Sequence, residues 1–337
     1  MKALCGIAFP LLLLLLMNGT SIATGPGAEV PDKGRKAFSF VPQWLPQAQF
    51  AGFYVAHEMG FYKREGLEIT ILRGGPSRPS AESLRKGEVD FCTMFLSTGI
   101  QERSRGTKLV NIGQMFFKSS QTLIAKKSGG IGNWHEINGK KVGLWSAELS
   151  ILPMALFKRY GIQPVIIPQS STINLFLRGG VDLVSAMRYN EYHTILSSGV
   201  DPEELTVFNL ADFGMNFPED GIYCLETTFR KSPESCCRFT KATLEGWKYA
   251  FDNKEQALDI VMKYVEEAKT STNRPHQKWM IERVREVMGF PEGGDSSGFF
   301  GEKDFMAVAS ELKAQGMIEN IPSFSEFFVD CSVANEK

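Results

Sequence analysis

Phe38-Ser39-Phe40-Val41-Pro42-Gln43-Trp44-Leu45-Pro46-Gln47 opens a stretch, ending at Leu72, whose reading decides the fold. Phe38–Val41 is a short β-prone run stopped by Pro42, and the loop behind it holds Trp44 between the amides Gln43 and Gln47. From Gln49, the residues Phe50, Phe53, Tyr54, Ala56, Phe61 and Tyr62 recur mostly three or four apart, which predicts an amphipathic helix. Gly66 stops it, and Leu67, Ile69 and Ile71 alternate with polar residues as a strand does. The stretch is therefore a βαβ unit, with a right-handed crossover expected.

In open α/β sheets small molecules bind in the crevice at the carboxyl ends of the strands. Trp44 follows such an end, where its indole can stack on a flat ring. A tryptophan that merely plugs the cleft or the core fits the residue type equally well.

The same pattern returns further on. Phe61-Tyr62-Lys63-Arg64-Glu65-Gly66-Leu67-Glu68-Ile69 and Phe157-Lys158-Arg159-Tyr160-Gly161-Ile162 each read as a helix end and a glycine stop before a strand. Leu84-Arg85 leads to Val89-Asp90-Phe91, as Leu177-Arg178 leads to Val181-Asp182-Leu183. The same order in both halves predicts two equivalent lobes, and 337 residues suffice for two cores. By the crevice rule the first lobe also offers the strand end from Thr93 to Ser97. In the second lobe the strand Asp182–Met187 ends in Arg188-Tyr189-Asn190-Glu191-Tyr192, facing Trp44. Asn190 can donate and accept, Glu191 can accept from ring amines, and Tyr189 can stack or hydrogen-bond. Equally, Asn190 can cap a helix whose dipole Glu191 complements. The turn Gly74-Gly75-Pro76-Ser77-Arg78-Pro79-Ser80 can present backbone N–H groups to a ligand, or simply turn the chain; it lacks the Lys-Ser/Thr ending of a P-loop.

Composition removes other classes. With 37 Lys and Arg against 38 Asp and Glu, interspersed, nothing points to nucleic acid. Lys2, the apolar run Leu11–Met17 and Ser21-Ile22-Ala23 make residues 1–23 a cleaved secretory signal too short to anchor as a spanning helix. Five cysteines then remain, so at least one stays free or pairs between chains; Cys224 with Cys236 or Cys237 is the expected bridge. No cysteine spacing fits a metal, and His57, His135, His193 and His276 fall in no metal-binding or nucleophile motif.

Trp44-Leu45-Pro46-Gln47-Ala48-Gln49-Phe50-Ala51-Gly52-Phe53-Tyr54-Val55-Ala56, followed by Met59-Gly60-Phe61-Tyr62 and Glu65-Gly66-Leu67, resembles the ABC-importer substrate-binding proteins related to thiamine-pyrimidine binding and synthesis proteins. Gly87-Glu88-Val89-Asp90-Phe91, Gly139–Trp145, Tyr189-Asn190-Glu191-Tyr192 and Glu219–Tyr223 continue the likeness, which covers Phe38 to Tyr264.

The resemblance implies a type II periplasmic binding fold: two α/β lobes around a ligand cleft, joined by two hinge crossings. Residues 1–23 would be the signal, 24–37 a loose leader, 38–125 and 226–337 the first lobe with its C-terminal helices, and 126–225 the second lobe. Carried over from the resemblance, Trp44 would be a stacking wall and Tyr189, Asn190 and Glu191 would meet the heterocycle from the second lobe, with Trp145 and Glu148 as similar candidates; Gln49 and Phe50 and the strand-end residues Thr93 and Phe95 complete the candidate set from the first lobe. It implies a periplasmic, monomeric receptor without cofactor or metal, which passes a heterocyclic small molecule to a membrane permease. Pyrimidine-synthesising relatives carry a His where this chain has Phe50, and a Cys-rich segment it lacks; both departures argue against synthesis and admit, beside a pyrimidine-like thiamine precursor, a larger or more apolar ring such as a flavin. An enzyme of thiamine-pyrimidine metabolism and a sensor module are the alternatives on the same fold.

Overall fold

A computed structural model describes residues 35–145, 147–290 and 300–331. The signal at 1–23 and the leader as far as residue 34 lie outside the described residues. The leader ends earlier than expected, because Lys36 and Ala37 already pair with Leu67 and Glu68.

Among the described residues ten strands form two five-stranded sheets. In chain order they are β1 (Lys36–Val41), β2 (Leu67–Ile71), β3 (Phe91–Phe95), β4 (Leu109–Gln114), β5 (Gln121–Lys126), β6 (Lys141–Leu144), β7 (Val165–Pro168), β8 (Leu183–Met187), β9 (Leu205–Asn209) and β10 (Asp220–Leu225). The first sheet has the order β2-β1-β3-β10-β4 and the second β7-β6-β8-β5-β9. In each, the first three strands in order run parallel and the fourth is antiparallel to both its neighbours, so that the fifth again runs with the first three. The repeat seen in the sequence is thus one plan used twice, with β2 and β7 as equivalent edge strands.

The antiparallel strand of each sheet arrives from the other lobe. The chain crosses between β4 and β5 and returns between β9 and β10, so β10 belongs to the first sheet although the division 126–225 assigned it to the second lobe. Its run of Gly221, Ile222, Tyr223 and Cys224 is buried, which suits a strand with neighbours on both sides.

The helix expected from Gln49 to Tyr62 is divided. A 3-10 turn Ala48–Phe50 leads into the helix Ala51–Glu58, and Gly60, at φ +74°, redirects the chain into the short helix Phe61–Arg64. The helix Ala51–Glu58 then lies against Pro233–Asp252 at contact distance. A Cβ on Gly246 would fall 2.1 Å from the Gly52 carbonyl oxygen, so only glycine permits this approach. Around it Phe239 stacks on Phe91 (4.3 Å between centroids) and on Tyr62 (5.0 Å), sealing the first lobe's core.

Lys254–Glu267 and Arg274–Met288 complete that lobe's helical layer. The helix Glu302–Ala314, expected at Asp304–Gln315, instead spans both lobes: Phe305 and Leu312 share one buried cluster with Val41 and Trp134, and Glu311 pairs with Arg159. The apolar tail docks as expected, with Phe327 buried against Tyr223.

The disulfide differs from expectation: Cys237 pairs with Cys331, while Cys92, Cys224 and Cys236 are buried thiols. Successive residues on a helix point about 100° apart. Cys236 therefore faces Cys224, and Cys237 turns outward to the tail.

Candidate functional site

Each parallel strand ends in a loop at the cleft. After β1 comes Gln43–Gln47, after β2 the turn Gly75–Pro79 and after β3 Phe95 at the strand's own end; across from them Trp145 follows β6, Gln169–Ser171 follow β7 and Tyr189–Glu191 follow β8. Together they line a cavity of about 370 Å3, within the roughly 300–1,000 Å3 usual for small-molecule sites.

Two tryptophans face each other across it. Trp44 and Trp145 meet edge to face at 6.3 Å between centroids, and the Trp145 indole donates to the Ser170 carbonyl at 3.1 Å. The Trp44 loop is held from below: the Gln43 N–H donates to Thr93 Oγ1 at 2.9 Å, and Gly74 lets the next turn close on it, since a Cβ there would fall 1.9 Å from the Pro42 carbonyl oxygen.

The floor is polar. Gln43 Nε2 and Gln49 Nε2 donate to the two oxygens of buried Asp220 at 2.6 and 2.9 Å, and Gln47 Nε2 donates to Gln49 Oε1 at 2.6 Å. From the second lobe Asn190 Nδ2 donates to Glu191 Oε1 at 2.8 Å and to Gln47 Oε1 at 3.3 Å; the Met187 N–H donates to Glu191 Oε2 at 2.9 Å. Burial pushes the Glu191 carboxyl up to about 7 against the Met187 donor. It does the same to Asp220, also to about 7, against its two amide donors.

Tyr189 connects this floor to the hinge. It is buried edge-on to Phe116 (6.2 Å), and its hydroxyl lies near Ser120 in the first crossing. Glu219, in the second crossing, accepts from the Ser120 N–H at 2.6 Å, the Gln121 N–H at 3.2 Å and Ser119 Oγ at 3.1 Å. Burial and then the neighbouring Asp220 raise its carboxyl, to about 8, against the donors.

Of the residues named from sequence, Trp44, Gln49, Phe95, Trp145, Tyr189, Asn190 and Glu191 line the cavity. Thr93 and Phe50 do not: Thr93 is fully buried and spends its hydroxyl on the Gln43 N–H, and the Phe50 ring packs in the first lobe's core. Glu148 falls in the 3-10 turn Ala147–Ser150, and its side chain is outside the described residues. Sequence reading missed Gln169, Ser170 and Ser171, the counterparts after β7 of the turn after β2; the internal repeat, followed one strand further, points to them. It also missed Asp220, which lies within the Glu219–Tyr223 segment of the likeness but has no binding signal of its own in the sequence.

Among the described residues no group of three or more His, Cys, Asp or Glu side chains could hold a metal ion, and no helix is long and apolar enough to cross a membrane.

Two α/β lobes, two crossings and a cleft lined from the strand ends define the type II periplasmic-binding fold. The sulfonate-binding protein SsuA of Escherichia coli superimposes with a TM-score of 0.64 at 12% identity, over 89% of this chain and 94% of that one. A Bordetella bronchiseptica protein does so at 0.68 and 14%, over 88% and 95%. The model of the NMT1/THI5 like family matches residues 47–257, and the chain belongs to that family.

Three relatives differ in what their names say. A 4-amino-5-hydroxymethyl-2-methylpyrimidine phosphate synthase of Legionella pneumophila is 26% identical, over 65% of this chain and 70% of its own. The riboflavin-binding protein RibY of Chloroflexus aurantiacus is 22% identical, over 67% of this chain and 65% of its own. The formylaminopyrimidine-binding protein of Halalkalibacterium halodurans is 20% identical, over 91% and 93%. The chain thus spans about two thirds of the first two and nearly all of the third.

Proposed function

We propose that this chain is the solute-binding component of an ABC importer, exported to the periplasm, which closes over a pyrimidine-like or flavin-like N-heterocycle and delivers it to a permease as a monomer. The observation that carries this reading is the pairing of two facing indoles, Trp44 and Trp145, with the acceptor groups of Asn190 and Glu191. Indoles bury a flat ring and carboxamide or carboxylate oxygens receive its N–H groups. Contacts from both lobes favour the closed form, the state a permease would recognise.

Relatives named as synthases support a second reading, an enzyme of pyrimidine metabolism on the same fold. Phe50, buried where the resemblance places a His in such enzymes, favours binding alone, with no cofactor required. A thermal-shift screen against 4-amino-5-hydroxymethyl-2-methylpyrimidine, thiamine, riboflavin, alkanesulfonates and nitrate tests the reading, because a ligand of the folded state raises the melting temperature by mass action. A shift with pyrimidines or riboflavin is expected. A shift with sulfonates or nitrate alone overturns the heterocycle, and turnover of a bound heterocycle overturns the binding role.

A further inference from the structure

Asp220 sets the direction of a hydrogen-bond chain that leaves the pocket floor and ends at the surface. Its buried oxygens need donors, so Gln49 turns Nε2 towards Oδ2 at 2.9 Å and leaves its own Oε1 facing Gln47. Gln47 must then present Nε2, at 2.6 Å, which leaves its Oε1 facing Asn190. Asn190 must in turn present Nδ2, which Glu191 Oε1 also requires, and Asn190 Oδ1 is left facing His276 Nε2 at 2.8 Å. An amide oxygen only accepts, so the proton of His276 sits on Nε2 and its Nδ1 carries a lone pair. That lone pair faces His193 Nδ1 at 2.9 Å, so His193 carries its proton on Nδ1.

The chain His193, His276, Asn190, Gln47, Gln49, Asp220 therefore runs in a single direction, donor to acceptor. It also passes back and forth between the lobes. His193 and Asn190 belong to the second lobe; His276 sits on the helix Arg274–Met288, which the first lobe holds through the Ala48 N–H donating to Gln277 Oε1 at 2.6 Å. Three bonds in succession thus cross the cleft: His193 to His276, His276 to Asn190, and Asn190 to Gln47. His193 is steadied by stacking on Trp279 (4.8 Å, 16°), whose indole donates to the Arg188 carbonyl at 3.3 Å.

We propose that His276 is the positioning residue of the cleft: with its tautomer set by His193, it fixes which edge of the Asn190 amide faces Gln47 and Glu191, and locks the lobes together as it does so. Resting on the ligand-binding reading above, this means that a heterocycle meets an Asn190 whose two N–H groups are already engaged, leaving oxygen acceptors for the ligand's N–H groups. A ring that offers only acceptors finds no partner there.

The first test needs no ligand. Long-range 1H–15N spectra of the imidazoles at neutral pH, assigned with the His193→Gln variant, should show His276 as the Nε2–H tautomer and His193 as the Nδ1–H tautomer, the less common one for a free imidazole. His193 in the Nε2–H form, or both rings averaging between tautomers, overturns the proposal. The second test compares His276→Leu with His276→Gln, whose Nε2 can still donate to Asn190, using 4-amino-5-hydroxymethyl-2-methylpyrimidine and riboflavin as probes. The leucine variant should bind whichever probe the wild type takes at least about ten-fold more weakly, and the glutamine variant should restore most of that loss. Equal affinity in the leucine variant, or no rescue by glutamine, overturns the positioning role. If the wild type binds neither probe, the heterocycle reading falls, and the tautomers still decide the lock.

Discussion

Glu219 in one crossing accepts the backbone N–H of Ser120 in the other, 2.6 Å away, so a single carboxylate clasps both strands of the hinge. Its carboxyl lies at about 8, with Asp220 and Glu191 at about 7, all raised by burial from ordinary values near 4. Acids with raised folded-state values contribute stability that is complete below their unfolded values and lost as pH rises through the folded ones. His276, lowered to about 4, contributes a slope only between that value and its ordinary 6.5, so it is silent above 6.5. The melting temperature of the ligand-free chain should therefore fall between roughly pH 6.5 and 8.5. Glu219→Gln keeps an acceptor for Ser120 and Gln121 and cannot ionise, so it should flatten this fall. Glu219→Ala strands those donors and should cost on the order of 2–3 kcal/mol. A melting temperature that rises with pH over that window overturns the sign.

Trp44 and Trp145 touch although they stand on different lobes, so their contact exists only with the cleft closed. Each change to Ala should weaken binding of a flat heterocycle by about ten-fold or more, the equivalent of roughly 1.4 kcal/mol. In the ligand-free chain a double-mutant cycle on stability should give a coupling of about 0.5–1.5 kcal/mol, the usual range for an edge-to-face pair. Affinities by calorimetry and melts of the four proteins decide both points; additive effects on stability place the rings apart in solution.

The disulfide joins Cys237 to Cys331 across 94 positions, fastening the tail beneath which Phe327 is buried. Closing so long a loop stabilises by restricting the unfolded chain, typically by 2–4 kcal/mol. Cys331→Ser should lower the melting temperature about as much as reductant lowers that of the wild type, and reductant should then add nothing. In the unreduced, denatured chain from residue 35 onwards, three thiols should titrate: Cys92, Cys224 and Cys236. One thiol would mean that Cys224 and Cys236 also bridge.

The fold was legible because its signals are local and occur twice. The glycine stops at Gly66 and Gly161 and the strands behind them mark equivalent places in two sheets, and strand-end reasoning reaches Trp44, Phe95, Tyr189, Asn190 and Glu191 without any tertiary information. What stayed hidden depends on separation. His193 and His276 lie 83 positions apart and fit no motif, yet their rings touch. Asp220 has no visible partner in the sequence until β10 carries it beneath two glutamines. Cys236 and Cys237 are adjacent in sequence, and only the helix they share sends one inward and the other to the tail. Thr93 sits at the right strand end for a ligand contact, but a backbone N–H had already claimed its hydroxyl.

Glu191 provides the remaining prediction, because among the described residues it is the cavity-lining carboxylate that titrates near neutrality. Asn190 Nδ2 donates to its Oε1 and the Met187 N–H to its Oε2, and the carboxyl faces the cavity, where a ligand N–H can add to them. A heterocycle donating an N–H there binds the ionised form better, so binding should release a proton and affinity should rise as pH climbs through about 7. Asp220 titrates in the same range but does not line the cavity, and both of its oxygens are occupied by amides. Glu191→Gln should therefore bind more weakly at pH 8, by about 1.5–3 kcal/mol for a lost charged hydrogen bond, and should lose most of the pH dependence. Glu191→Ala should bind more weakly still, since it also releases Asn190 from one of its two acceptors. Calorimetry from pH 6 to 8.5 in buffers of different ionisation enthalpy measures the affinity and the proton together. A wild-type profile that survives unchanged in Glu191→Gln would move the titrating group to Asp220 and take Glu191 out of ligand recognition.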